Sequence, residues 1–339
     1  MQVFERREKL SPKGSGLLIR PGASRILQSW GLGDAIEQVA DTCLPILIRD
    51  LKTGKDKIRT LPASFTKYPD WGIHRPILQD ILYQHAVHAG AEIIFRSSVE
   101  DFSDEPGVSP SLQLKGGKTI AGDLILIADG IQSRLRTKVL FDVSAGWSVN
   151  PQVSDSVYYG VTVPQKELQS DSDARLLLQE FETCVWAGDE RFVIGRKPRK
   201  MEFWSGLFGL KHDDDHASMW SEGLSQIIED IGVLHILLLS LPYLSVSVIS
   251  RFWEDIRKPR VERIKSFAAW NTQRFLGHKD HAASHQKYAD ADWESIKDIE
   301  PDPAADFTSP AFFKWAHDYD IVEQVSLCHL GSSALLGLK

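Results

Sequence analysis

Apolar positions fall into three spacings along the chain, and each predicts a different element. Leu124 to Ala128 is an unbroken apolar run, the pattern of a strand buried on both faces of a parallel sheet. Asp129-Gly130 closes the run as a turn, and a short helical stretch with Ser133, Arg134 and Arg136 follows. An acid and a glycine at the carboxyl end of such a strand sit where open α/β sheets bind ligands. The glycine lets a ligand approach the backbone, and the helix start offers N–H groups to a phosphate. A strand-turn-helix without a ligand is the alternative reading of the same segment.

Helical spacing appears at Ala23 to Val39, at Pro76 to Ala89 behind Arg75, at Glu222 to Leu239, at Val246 to Trp270 with a break at Pro259, and at Phe312 to Leu327. Short strands are expected at Val3 to Arg6 and at Ala91 to Ser97. A hairpin is expected from Ile46 with Thr53-Gly54 at its tip and a return strand over residues 57–61. Ser111 to Leu114 and Thr119 to Ala121 form a hairpin-like pair. From Ser144 to Gly209 the pattern becomes short strands and turns, a separate sheet-rich layer that includes Tyr158 to Val163, Cys184 to Trp186 and Arg191 to Gly195. A Gly- and Pro-rich loop, with Pro12, Gly14, Gly16, Pro21 and Gly22, precedes the first helix.

With 339 residues the chain can build two domains or one large composite domain. A net charge of −7 argues against nucleic acid or an anionic membrane as the main partner. The odd, scattered cysteines Cys43, Cys184 and Cys328 suggest neither a disulfide framework nor a metal cluster, which suits a reducing, cytoplasmic setting. The N-terminus runs straight into charge and does not read as a signal peptide. Ile231 to Leu241 is too short an apolar stretch to span a bilayer and reads as a buried helix.

The ordered motifs resemble the group A flavoprotein aromatic hydroxylases, the salicylate-hydroxylase-like FAD monooxygenases with the p-hydroxybenzoate hydroxylase fold. Val3-Phe4-Glu5-Arg6 looks like the end of the second Rossmann strand. Gly14 to Ser24 resembles the loop beside the flavin, and His74-Arg75 to Leu82 the helix whose arginine contacts FAD. Asp129-Gly130 matches the family's Asp-Gly element, and Gly223 to Leu234 the helix that closes the flavin site. Arg257 to Arg263 and Trp315 to Asp320 fit the C-terminal pattern. The resemblance implies an α/β fold, with a Rossmann-like FAD/NAD(P)-binding domain, an inserted β-sheet substrate domain and C-terminal helices. Its divisions would be residues 1–143, 144–210, 211–275 and 276–339. It implies FAD held by Glu5, Gly16, Arg75, Asp129 and Asp213, with NAD(P)H as cosubstrate and a small aromatic or phenolic substrate hydroxylated with O2. Tyr159 is the candidate catalytic residue. No metal, nucleic acid or membrane partner is implied.

Three departures qualify the resemblance. The sequence contains no Gly-x-Gly-x-x-Gly turn, and Met1 falls just before the strand that matches the family's second. Near His212 the family's Gly-Asp-Ala-Ala-His reads His212-Asp213-Asp-Asp-His216, keeping only the Asp-x-x-His spacing. At Tyr159-Gly160 relatives often carry an arginine after the tyrosine, and some use the pair to hold a phenolate.

Bland readings compete elsewhere. Glu5 suits a charged strand end, whereas Arg75 at a helix start opposes the helix dipole and so favours an anionic partner. His212 and His216 have metal-ligand spacing, but consecutive acids and no third ligand favour a solvated loop or an altered flavin motif. Arg257 to Lys265 reads as a solvated helix face, and Arg196 to Lys200 as a charged hairpin turn. Trp204, Phe208 and Trp220 suit either a substrate pocket or the core. Two other functions stay open: a truncated or decayed relative that cannot hold FAD, and a related flavin epoxidase or oxidative decarboxylase on the same scaffold.

Overall fold

The computed structural model describes residues 1–42, 46–59, 66–140, 156–179, 181–188, 191–211, 223–276 and 298–326. In chain order the elements begin with β1 (Gln2–Phe4), β2 (Gly16–Ile19), α1 (Pro21–Ser29), α2 (Gly33–Val39), β3 (Asp41–Thr42), β4 (Ile46–Asp50), β5 (Asp56–Arg59), β6 (Trp71–His74) and α3 (Arg75–His88). Then come β7 (Glu92–Ile94), β8 (Val99–Ser103), β9 (Ser111–Leu114), β10 (Thr119–Ala121), α4 (Arg136–Val139), β11 (Ser156–Pro164) and α5 (Gln165–Gln169). The last are β12 (Thr183–Gly188), β13 (Arg191–Arg196), β14 (Phe203–Lys211), α6 (Gly223–Ser240), α7 (Val246–Leu276) and α8 (Pro310–His317). The chain forms two compact units, one of residues 1–12 and 82–153, the other of residues 13–81 and 154–339.

The first unit holds the parallel pair β1–β7, with Val3 opposite Ile93, and the antiparallel sheet β10-β9-β8. The expected strand from Leu124 to Ala128 does not form. The run pairs with no described strand, and Leu124 is 37% and Leu126 61% exposed. A doubly buried strand needs a neighbour on an edge and a layer on each face; the parallel sheet here has two strands, and neither takes the run as a neighbour. The short helix expected after it, with Ser133, Arg134 and Arg136, forms only from Arg136 onwards, as α4, and Ser133 and Arg134 lie before it.

In the second unit a six-stranded sheet has the order β11-β14-β13-β12-β4-β5. Its one parallel pair is β12–β4; the rest are antiparallel. The hairpin from Ile46 thus joins the sheet of the 144–209 segment, with Gly54 at its tip in the left-handed region at φ +70°. A three-stranded sheet, β2-β6-β3, takes its first strand from the Gly- and Pro-rich loop, where the sequence predicts none.

Glycines opposite large rings shape the six-stranded sheet. Gly195 and Gly206 are a cross-strand pair, and the Trp204 indole occupies the space where both side chains would lie. Gly209, paired with Phe192, receives the Phe192 ring in the same way. Trp204 is therefore core.

Three helix expectations are corrected. Ala23 to Val39 splits into α1 and α2 because Gly31 adopts φ +80° just after α1, a left-handed helix stop. Pro259 does not break α7, which runs unbroken from Val246 to Leu276. Arg257 and Arg260, on either side of the proline, are buried and bound to Glu229 of α6. Their contacts oppose the roughly 3 kcal/mol that an interior proline costs. The solvated face expected at Arg257 to Lys265 is thus an internal ion cluster at those two arginines.

Glu229 Oε2 accepts from Arg257 Nη1 at 2.8 Å and Arg260 Nε at 2.7 Å, and Oε1 accepts from Arg260 Nη2 at 2.8 Å. Asp230 Oδ1 accepts from Arg257 Nε at 2.7 Å, and Arg260 lies over the Tyr319 ring. Beside the cluster, Phe267, Phe312, Ile264 and Ala316 form a core. The last helix expected over residues 312–327 starts earlier and stops at His317, and residues 321–326 are helical again. Burial, with Arg20 and Arg260 nearby, holds the His317 imidazole well below the usual histidine range, so it is neutral.

Candidate functional site

In the first unit Glu5 follows β1, at the carboxyl end of a strand in a parallel pair. Its N–H donates to Ile94 O at 3.0 Å, and its Oε1 accepts from Arg7 N at 2.8 Å, which fixes the carboxylate beside the strand end. The turn expected at Asp129-Gly130 falls just after it, at Ile131-Gln132, where Ser133 N donates to Gly130 O at 3.1 Å; Gly130 itself is at φ +84°, a conformation that only glycine adopts readily. Arg136 Nη2 donates to Gly130 O at 2.8 Å and Nη1 to Ile131 O at 3.0 Å, while Ser133 Oγ accepts from Arg136 N at 3.0 Å. The turn is held from behind, and the Asp129 carboxylate is left exposed.

In the second unit the Gly14-Ser15-Gly16 loop lies against the start of α3. Arg75 N donates to Ser15 O at 3.1 Å, and His74 Nε2 is 2.9 Å from Gly14 O. A Cβ on Gly14 would lie 2.9 Å from Arg75 Cβ and 3.0 Å from Pro76 Cδ, so this close approach requires glycine. Gly16 opens β2 opposite His74, and among the described residues no atom lies within 4 Å of the position of its missing Cβ. Arg75 is exposed at the first residue of α3. A cation there opposes the helix dipole, and an anion would relieve that conflict.

Beneath the loop, Arg20 Nη1 donates to Asp70 Oδ2 at 2.7 Å and Ser225 Oγ accepts from Arg20 N at 3.2 Å, tying β2 to α6. Burial pushes the Asp70 carboxyl above the usual range although Arg20 pulls it down.

Register decides which side chains of the large sheet face this loop. Directly paired residues share a face and neighbours alternate. Tyr158, Gly160 and Thr162 share one face with Gly209, Leu207, Ser205, Phe203, Phe192, Ile194 and Arg196. Phe203 packs on His74 at 5.1 Å, and Arg196 Nη2 donates to Asp41 of β3 at 2.5 Å. Ser15 Cβ lies 3.9 Å from where a Gly160 Cβ would stand. This is the face that meets the β2-β6-β3 sheet and its loop.

Tyr159 lies on the other face, with Phe208, and is 57% exposed. The structure does not bring it to the Gly14–Gly16 loop. Tyr158, Ser15 and Arg196 were missed in the sequence, where only the alternation along β11 carried a signal. In the hairpin turn expected to be merely charged, Lys197 is buried and donates to Pro198 O at 2.8 Å and to Met201 O. Asp213, His212, His216 and Trp220 lie outside the described residues. Among the described residues no group of three or more His, Cys, Asp or Glu side chains is placed to hold a metal ion.

The fold is that of FAD-binding monooxygenases. FqzB superposes with a TM-score of 0.73 at 18% identity, over 100% of this chain and 89% of that one. A salicylate hydroxylase substrate complex gives 0.68 at 15% identity over 92% and 90% of the two chains. CtdE in complex with FAD and a substrate gives 0.68 at 17% identity over 96% and 93%.

In sequence the chain is a homologue of the FAD-dependent monooxygenases. OpS4 of Beauveria bassiana is 22% identical over 94% of this chain and 89% of its own length. NotI of an Aspergillus species is 28% identical over 60% and 47% of the two, and 3-hydroxybenzoate 6-hydroxylase 1 of Aquipseudomonas alcaligenes 25% over 55% and 45%. The chain thus matches about half the length of several curated relatives, and most of OpS4. No family model matches the chain.

Proposed function

We propose that this chain is an FAD-dependent monooxygenase that hydroxylates a small aromatic ring at the expense of NAD(P)H and O2. The observation that carries the reading is the glycine loop at residues 14–16, locked by the His74 side chain and the Arg75 backbone and facing an aromatic-bearing sheet. The homologues named for this activity support it.

The residues fit a flavin in part. Gly16 leaves an open approach to backbone, Arg75 presents an exposed cation, and Glu5 and Asp129 present carboxylates beside a strand end and a glycine turn. Within the first unit Glu5 would accept ribose hydroxyls and Asp129 is a further candidate contact; within the second Arg75 would meet phosphate, and Asp213 remains a candidate by resemblance. The sequence has no Gly-x-Gly-x-x-Gly turn, so no backbone cradle for the pyrophosphate is counted among these groups. Bound flavin would supply electron transfer from NAD(P)H and the activation of O2. The chain's own part is to hold the ring against the Tyr158–Thr162 face and to keep water from it. The buried Cys184 thiol, which accepts from Arg49 Nη1, suits a reducing, cytoplasmic setting.

The exposed run from Leu124 to Ala128 favours a second reading, a non-catalytic relative that does not hold FAD. One experiment separates the two. The purified chain is examined for visible flavin absorbance before and after adding FAD, then for substrate-stimulated NADH and NADPH oxidation. A colourless protein that takes up no FAD would sink the first reading.

A further inference from the structure

We infer that Arg96 is a positioning residue for Glu5: its left-handed backbone, and not its guanidinium, holds the Glu5 carboxylate where ribose hydroxyls reach it. The inference rests on the proposed reading of Glu5 as the ribose contact of FAD. Every group involved lies in the first unit.

The β1–β7 pair is a regular parallel ladder as far as Glu5. Glu92 N donates to Met1 O at 3.0 Å and Glu5 N to Ile94 O at 3.0 Å, with Phe4 opposite Ile94. In a parallel ladder such bonds alternate between the strands, and the next one would run from Arg96 N to Glu5 O. Instead Ser97 N donates to Glu5 O at 2.9 Å, and Arg96 N is turned to Arg7 O, also at 2.9 Å. Arg96 is thus one extra residue in the ladder, a bulge at the carboxyl end of the parallel pair. It sits at φ +54°, and among the described residues no other non-glycine has a positive φ. Glycine adopts that conformation freely, whereas a residue with a Cβ is strained there and stays only when its surroundings hold it.

The bulge acts on Glu5 through Arg7. Arg96 N takes the Arg7 carbonyl, and the Arg7 N–H turns back to donate to Glu5 Oε1 at 2.8 Å. The Glu5 peptide is held on both sides, its N–H by Ile94 O and its carbonyl by Ser97 N. One carboxylate oxygen is thereby fixed, and no described residue bonds the other, Oε2, which faces a ligand hydroxyl with its acceptor capacity intact. The Arg96 guanidinium is occupied elsewhere, on Glu8, with the two side chains 71% and 67% exposed. So exposed a pair adds little, which leaves the backbone at residue 96 to set the position of Glu5.

The test is calorimetric titration with ADP and with dideoxy-ADP, which lacks both ribose hydroxyls. The unmodified chain is expected to bind ADP about tenfold or more tightly, the worth of one charge-assisted hydrogen bond, and Glu5→Gln to lose most of that preference. Arg96→Gly adopts the bulge freely and is expected to keep the ratio within about twofold. Arg96→Val, whose branched Cβ opposes a positive φ, is expected to lower it at least about fivefold. Arg96→Ala replaces it, with a smaller fall expected, should the valine variant fail to fold by circular dichroism. A general loss of structure would weaken both nucleotides alike, so the ratio reports on the hydroxyl contact itself. No ADP preference in the unmodified chain, no binding of either nucleotide, an unchanged ratio in the folded valine or alanine variant, or a lost preference in Arg96→Gly would overturn the inference. Visible absorbance after adding FAD keeps the two readings apart. Colourless protein with an Arg96-dependent ADP preference counts against the flavin reading alone; yellow protein whose ADP preference ignores Arg96 counts against the inference alone.

Discussion

Replacing Glu229 by Gln tests whether the buried ion cluster holds α6 to α7. The side chains of Glu229, Arg257 and Arg260 are 1%, 2% and 2% exposed, so no surface water can take over a lost contact. Glutamine keeps the shape, which removes any cavity contribution. It also turns one acceptor into a donor facing a guanidinium and deletes the only acid bonded to Arg260 among the described contacts. Arg257 keeps Asp230 and Gln226 Oε1, whereas Arg260 keeps two backbone carbonyls and the Tyr319 ring. Breaking a buried pair from one side costs about 3–5 kcal/mol, against a total stability of roughly 5–15 kcal/mol. For a unit of this size that is a fall in melting temperature of at least about 6 °C. Differential scanning calorimetry measures it. Glu254→Gln is the control, because Glu254 pairs with Lys258 four residues on with both side chains more than half exposed, and such pairs contribute about 0.3–0.5 kcal/mol. Equal melting temperatures for the two variants would refute the reasoning.

Three further outcomes follow from the same contacts. His317 is neutral in the fold with a depressed pKa, while in the unfolded chain it titrates at its ordinary value. Its contribution is intact above about pH 6.5 and is lost as pH falls below that, at up to about 1.4 kcal/mol per pH unit. Urea unfolding of His317→Phe should show a shallower decline between neutral and mildly acidic pH, and an unchanged slope would contradict the burial argument. Gly195→Ala drives a methyl group into the Trp204 indole and should cost about 1–3 kcal/mol by overpacking; Gly160→Ala, whose methyl group would make an ordinary contact with Ser15 Cβ at 3.9 Å, should leave the urea midpoint nearly unchanged. Arg75→Ala should weaken FAD binding roughly tenfold or more by removing one charge-assisted contact, with the melting temperature of the free protein unaltered because the side chain is exposed; equal affinity by fluorescence titration would remove Arg75 from the site.

What the sequence revealed and what it hid divide along the range of the interactions involved. The helix from Arg75 and the Thr53-Gly54 hairpin tip depend on neighbours within a few residues, and spacing and turn chemistry predicted both of them; the turn expected at Asp129-Gly130 falls at the next two residues. The strand at Leu124 to Ala128 depended on partners elsewhere in the chain, and an apolar run alone cannot supply them. Arg257 and Arg260 read as solvated because charge on a helix usually is; only their meeting with Glu229, about thirty residues away in sequence, makes burial tolerable.

The choice between Tyr158 and Tyr159 shows the same limit most sharply. Alternation along β11 assigns the two tyrosines to opposite faces but cannot say which face meets the glycine loop. That is settled by distant contacts, Arg196 with Asp41 and Phe203 with His74, which fix one face of the sheet against β3 and β6. A one-residue change of register would exchange the two tyrosines and bring Trp204 where Phe203 now lies. The bulk of Trp204 over Gly195 and Gly206 opposes that slip. The glycines that look like weak points in β13 and β14 therefore hold the register that presents Tyr158, rather than Tyr159, to the site.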